Sequence, residues 1–162
     1  MPPIWVVDML RKRGIEIEMI GEIVYNLQKP YNPDLQLEDC NDSVRVVLEK
    51  REVQYVLCTG IALDELAEKR QLPEPLQSIL DCDESLYGVD ETLALGITNV
   101  YGMIGLTSFG YLDKVKPGVI GELNNRKNGV HVFLDDLVSG LAAAASARIA
   151  HNDPKAKTYG VD

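Results

Sequence analysis

Apolar residues recur every three to four positions along most of the chain, and alternating strand patterns are scarce. Pro3 can open a first helix over Trp5–Arg13, which Gly14 stops. Ile17, Ile20, Ile23, Val24 and Leu27 mark one face of a second, ending before Pro30. Leu37–Lys50 reads as a third, with Cys40, Val44, Val47 and Leu48 inward, and Glu52–Lys69 as a fourth. Gly60 inside that fourth helix marks a kink, a close crossing or a break. A short helix near Leu76–Leu80 follows Pro73 and Pro75. The acids and serine of Asp81–Ser85 read as caps for the helix after them.

Thr92–Leu112 holds 21 residues without a formal charge. That is the length of a membrane span. Its threonines, asparagine, serine and four glycines, with no aromatic belt or asymmetric basic loop beside it, favour a central helix buried on all sides. The basic loop Asn124–Gly129 leads into a last helix, Val130–Ala150, before a polar tail from Asn152 that is expected to fray. The pattern predicts an all-α fold: one domain over 1–162, about six or seven helices packed around a central apolar helix.

The 162 residues include 25 acidic and 16 basic side chains, a net charge of −9. That sign disfavours nucleic acid and electrostatic docking to anionic membranes, leaving at most peripheral membrane contact. Three isolated cysteines and two histidines supply no thiolate zinc pattern and read as reduced cytosolic thiols. Met1-Pro2-Pro3-Ile4-Trp5 has neither a basic start nor a long apolar run, so no signal peptide is expected and the location is read as cytoplasmic. Helix faces beyond the needs of a small core favour a homo-oligomer.

The unusual chemistry lies at the ends of the least polar segments. Asp90-Glu91 precede the uncharged stretch, Asp113, Lys114 and Lys116 follow it, and Asp135-Asp136 open the last helix. Adjacent helical residues point about 100° apart, so each pair can send one carboxylate to a ligand and the other to a supporting role. Charges this close to a core need a cation or a basic partner. Mg²⁺ suits carboxylate and water oxygens, while Lys114, Lys116 and Arg126 are available for ion pairs. His131, four residues before Asp135, is a further candidate ligand or base if both share a helix face. His151 reads as a complement to a helix C-terminus.

Read together, Gly88-Val89-Asp90-Glu91, then Phe109-Gly110-Tyr111-Leu112-Asp113-Lys114-Val115-Lys116-Pro117, then Gly129 through Asp135-Asp136-Leu137-Val138-Ser139-Gly140 resemble the bacterial phosphatidylglycerophosphatase A family. That family's pattern has an Asp-Glu pair, a Phe-Arg-x-x-Asp-x-x-Lys-Pro segment and a glycine-rich turn into Asp-Asp-x-x-Ala-Gly. The match spans residues 88–141. Gly110 stands in place of the family arginine and Ser139 in place of its alanine, and the proline- and glycine-rich N-terminal segment of membrane-bound members has no counterpart. The resemblance implies a Mg²⁺-dependent phosphatase that removes the terminal phosphate of phosphatidylglycerophosphate. It implies an acidic site of Asp90, Glu91, Asp113, Asp135 and Asp136, with Asp90, Glu91, Asp135 and Asp136 as metal ligands and Lys116 facing the phosphate. The alternative is a helical metal-binding or assembly module without turnover.

Overall fold

In the computed structural model, which describes residues 1–153 and 155, the helical periodicity becomes nine α-helices. These are α1 (Ile4–Lys12), α2 (Ile17–Gln28), α3 (Leu37–Leu48), α4 (Arg51–Glu68), α5 (Leu76–Asp81), α6 (Val89–Thr98), α7 (Gly102–Val115), α8 (Val119–Asn125) and α9 (Leu134–His151). Seven exceed eight residues; α5 and α8 are short. No strand occurs among the described residues. Gly14, at φ +79°, ends α1 in the left-handed region that glycine tolerates best.

The hub is α9. Every residue from Leu134 to Ala147 is buried, and α2, α3, α4, α6, α7 and α8 all lie against it. Ala142–Ala145 explain how one helix accommodates so many neighbours. Alanine has the highest helix propensity, and its small side chain lets surrounding helices approach from several directions. Two glycines mark close crossings on α9. A Cβ at Gly60 of α4 would lie 2.6 Å from Leu137 Cδ1, and one at Gly140 of α9 would lie 3.1 Å from the Ala94 carbonyl of α6. Gly60 is therefore a close crossing, neither a kink nor a break.

A long apolar helix does sit at the centre, but it is α9 and not the uncharged stretch 92–112 expected there. By length and composition Val89–Val115 could cross a membrane, yet only 28% of its most apolar window is buried. Nor is it one rod. A 3₁₀ turn at Asn99–Tyr101 and Gly102, at φ +73° and ψ −158°, break the α-helical path. A straight helix of that length would hold its ends roughly 40 Å apart. Instead Asp113, near the end of α7, lies close enough to Asp136 to raise its pKa, and Asp136 groups with Asp90 and Glu91 at the start of α6. Helices α6 and α7 thus form a hairpin on α9, with Ala94, Ile97, Phe109 and Leu112 inward. Missing charge marked a segment that avoids charge, not one enclosed on all sides.

The last helix also starts later than its pattern indicates. Residues 130–131 are irregular and 132–133 form a turn before α9, so His131 and Asp135 do not share a helix face. Of the expected frayed tail, residues 154 and 156–162 lie outside the described part.

Gly60→Ala should lower unfolding free energy by about 1–3 kcal/mol, because overpacking at Leu137, Leu93 and Phe133 outweighs alanine's helix propensity. Urea denaturation measures this; an unchanged midpoint would show that the α4–α9 crossing opens freely.

Candidate metal and phosphate site

Three helix ends meet at one end of the bundle. Gly88, at φ +68°, turns the chain into α6, whose first turn carries Asp90 and Glu91. Lys116 caps α7 in the left-handed conformation, an uncommon state for a lysine, and Pro117 prevents the helix from continuing. The first turn of α9 carries Asp135 and Asp136. Acids in the first turns of α6 and α9 also interact favourably with the positive ends of those helix dipoles. All six residues singled out from the sequence, Asp90, Glu91, Asp113, Lys116, Asp135 and Asp136, thereby join one connected cluster.

Its geometry divides into two parts. Asp90, Glu91 and Asp136 each bring a carboxylate oxygen within 4.8 Å of the others. Asp90 Oδ1 and Glu91 Oε2 are buried and receive no hydrogen bond from any fixed donor. Beside this trio, Lys116 Nζ donates to Asp113 Oδ1 and to Asp135 Oδ2, both at 3.1 Å. Asp135 Oδ1 accepts the Asp136 backbone N–H at 3.0 Å. Asp135 is thus engaged by Lys116 and its own helix, and the cation-sized gap is bounded by Asp90, Glu91 and Asp136.

Crowding controls protonation. The Asp90 carboxyl, close enough to share a proton, is the largest influence raising Glu91 to about 7; burial and Asp113 add to it. Burial pushes Asp136 up to about 10, reinforced by Asp135, Asp90 and Asp113. Burial likewise raises Asp135, against the pull of Lys116. For Lys116 itself burial alone would favour the neutral amine, but Asp135 and Asp113 outweigh it and raise the pKa. One ammonium cannot neutralise five neighbouring carboxyls, so without another cation several protons must remain. Unpartnered buried carboxylate oxygens close to one another are a donor set that fits a hard divalent ion. The structure therefore contains an acidic cluster able to hold a metal.

A further acid was not visible as a site residue. Asp64, wholly buried on α4, accepts the backbone N–H groups of Phe133 at 3.1 Å and Leu134 at 3.0 Å. It closes the start of α9 next to Asp135-Asp136. Burial pushes it up to about 7 despite those two donors. In sequence it is one acid among many on an amphipathic helix; only the tertiary contact distinguishes it. His131 takes a different role from that of ligand or base. Its Nδ1 lies 3.2 Å from Arg13 Nη2 and its Nε2 lies 3.0 Å from the Asn128 carbonyl. The imidazole therefore accepts at Nδ1 and donates at Nε2, and burial, opposed only in part by Asn128, lowers its pKa. Arg13 also donates to Glu68 and to the Val130 carbonyl, fastening the loop before α9 to α1 and α4.

The acids of 81–85 do not cap α6, which begins from Gly88 without a side-chain cap. Asp81 pairs with Arg70 at 3.1 Å, while Asp83, at φ +48°, faces Asp135 closely enough to raise its pKa. A small cavity of about 170 Å³ reaches Asp135 between Asp83, Asn124, Arg126 and His131. The cysteines are free and lie apart from this cluster.

The chain is similar over most of its length to known bacterial proteins. The chain is 58% identical to the Bacillus subtilis protein YpjQ over 144 residues, covering 89% of this chain and 81% of that protein. It is 54% identical to YutG of the same organism, covering 88% and 86%. The crystal structure of YpjQ superposes with a TM-score of 0.87 over 90% of this chain and 91% of that one, at 57% identity. The low temperature requirement C protein of Listeria monocytogenes gives 0.87 at 54% identity, over 90% and 92%. The family model described as Phosphatidylglycerophosphatase A matches residues 10–151, a span that contains every residue of the acidic cluster. The chain belongs to the phosphatidylglycerophosphatase A family.

Proposed function

We propose that the chain is a Mg²⁺-dependent phosphatase that removes the terminal phosphate monoester of phosphatidylglycerophosphate to leave phosphatidylglycerol. The observation that carries this reading is the pair of buried, donorless oxygens on Asp90 and Glu91, brought together with Asp136 beside Lys116. Membership of the family supplies the substrate class. Asp90, Glu91 and Asp136 would hold the cation, with Asp135 fixing Lys116 next to it. When bound, Mg²⁺ offsets charge at the phosphoryl oxygens and lowers the pKa of a water. Lys116, held by Asp113 and Asp135, offers its remaining N–H to a phosphate oxygen and keeps its charge over the working pH range. Asp113, hydrogen-bonded to Lys116 and close beside Asp136, stands where a proton can be taken or returned. Asp64 keeps the first turn of α9 in register with this machinery.

One observation favours a second reading, a metal-binding helical module without turnover. Position 110, where the family pattern has arginine, is glycine, with no atom within 4 Å of the place a Cβ would occupy. A bidentate phosphate donor is thus missing from α7.

Phosphate release from micellar phosphatidylglycerophosphate and from soluble monoesters, with Mg²⁺ or with chelator, separates the two. The phosphatase reading expects Mg²⁺-dependent release that falls at least about 100-fold in Asp136→Asn and in Asp90→Asn. Mg²⁺ stabilisation with no release from any monoester would support the module instead. Preference for soluble monoesters over the lipid would keep the chemistry and reject the substrate.

Protonation gives an independent expectation. Carboxyls in the unfolded chain lose their protons near pH 4. In the metal-free fold Glu91 and Asp64 keep theirs to about 7, and Asp136 to about 10. The folded state then binds more protons than the unfolded state, so stability falls as pH rises from about 4 towards about 10. With chelator present, Tm should drop by more than about 5 °C between about pH 5.5 and pH 8.5, and saturating Mg²⁺ should remove most of the drop. A flat profile with chelator would mean that the carboxyls are not crowded as described.

A further inference from the structure

We propose that the polar cavity beside Asp135 is the alcohol subsite of the phosphatase, where Asp83 and Asn124 recognise a hydroxyl on the carbon next to the ester carbon. The inference rests on the phosphatase reading and deepens it by naming the alcohol: a three-carbon polyol of the glycerol type. Asp135 joins the two regions. Its Oδ2 accepts from Lys116 at 3.1 Å, while the same residue forms part of the cavity wall. The larger cavity at Pro117 and Gly118 touches no residue of the acidic cluster. A monoester with its phosphoryl group at Lys116 therefore has the cavity at Asp135 as neighbouring space for its alcohol. In hydrolysis water forms the new P–O bond and the bond to the alcohol oxygen breaks. That oxygen keeps the bonding pair, takes a proton, and leaves with whatever holds its carbon chain.

Size and charge select the occupant. The cavity holds about 170 Å³, room for roughly six water-sized groups at about 30 Å³ each. That suits a three-carbon polyol and falls short of a hexose or a nucleoside. Leu80, Leu123 and Val132 are buried and offer apolar contact to its carbons, while the exposed Asp83, Asn124 and Arg126 bring polar groups to the same space. Two other carboxyls border the cavity and both are engaged: Asp81 pairs with Arg70, and Asp135 with Lys116. His131 adds no charge, since both ring nitrogens are occupied and burial lowers its pKa. Asp83 and Arg126 remain, one acid and one base, with no ion pair between them among the described residues. Arg126 Nη1 donates to the Arg13 carbonyl at 3.2 Å, which fixes the guanidinium and leaves further N–H groups. The wall thus presents an acceptor, a donor, and an amide that is both. A hydroxyl matches that set, whereas a second phosphate would meet Asp83 and a divalent cation would meet Arg126.

Two matched substrate pairs test this, the members of each differing by one central hydroxyl. One is micellar phosphatidylglycerophosphate against its analogue with a deoxy headgroup; the other is glycerol 3-phosphate against 3-hydroxypropyl phosphate. With Mg²⁺ present, the wild type should prefer the hydroxyl-bearing member by at least about tenfold in kcat/KM. Asn124→Ala and Asp83→Ala should each bring that preference to within about threefold. The preference is a ratio, so any loss of folded enzyme cancels from it. Whichever pair is turned over identifies the source of the glycerol unit, lipid or soluble. A wild-type ratio near one overturns the subsite and leaves the phosphatase reading standing, as does a preference that both variants retain. Absence of Mg²⁺-dependent release from every one of these esters overturns the phosphatase reading, and the subsite with it.

Discussion

Two carboxylates on the first turn of an otherwise buried helix are the constraint on which this structure depends. Asp135 is 6% and Asp136 3% exposed, and α9 behind them is the hub of the core. Burying such groups is costly unless charge or protons accompany them. The fold meets that demand with other elements. The end of α7 supplies Lys116, and the loop before α9 is held by Asp64, Arg13 and Glu68. The acids at the start of α6 intensify the demand instead of relieving it. A purely structural cluster would place a lysine or arginine opposite each acid. Here one ammonium serves two carboxylates while two oxygens lack donors, an arrangement better suited to receiving a cation than to stabilising the free protein.

The same reasoning explains the hairpin. For Asp90-Glu91 and Asp113 to reach Asp136 together, the segment between them must reverse direction. Asn99–Gly102 provides the reversal, and Gly105 permits it, since a Cβ there would lie 3.1 Å from the Thr98 carbonyl. The hairpin brings both charged ends to the site and leaves its uncharged middle on the outside.

Much of this was legible in the chain because motif order and helix ends carry local information. Asp90-Glu91, Asp113-x-x-Lys116-Pro117 and Asp135-Asp136 each sit at a helix terminus, where acids and a proline stop are read directly from sequence. What sequence could not supply was direction. A run without charge looks alike whether it lies at the centre of a bundle or along its outside, and the turn at Asn99–Gly102 contains no proline to announce it. Nothing local in the sequence distinguishes Asp64, because its partners, the N–H groups of Phe133 and Leu134, are some seventy positions away. His131 could share a face with Asp135 only if α9 began at Val130, and the helix begins four residues later.

Helix α7 faces three environments at once. Its Phe109 and Leu112 side lies on α9, its last turn delivers Asp113 and Lys116 to the acidic cluster, and its Met103–Leu106 side points away from both. The Lys116 ammonium is therefore positioned by a helix with only one side fixed by the core. Asp135 of α9 gives that ammonium a second hold, and positioning errors at a group that must meet a phosphate oxygen are expensive in catalysis. The segment that avoids charge along its length therefore also holds charge at its end, where Asp113 and Lys116 meet the acidic cluster.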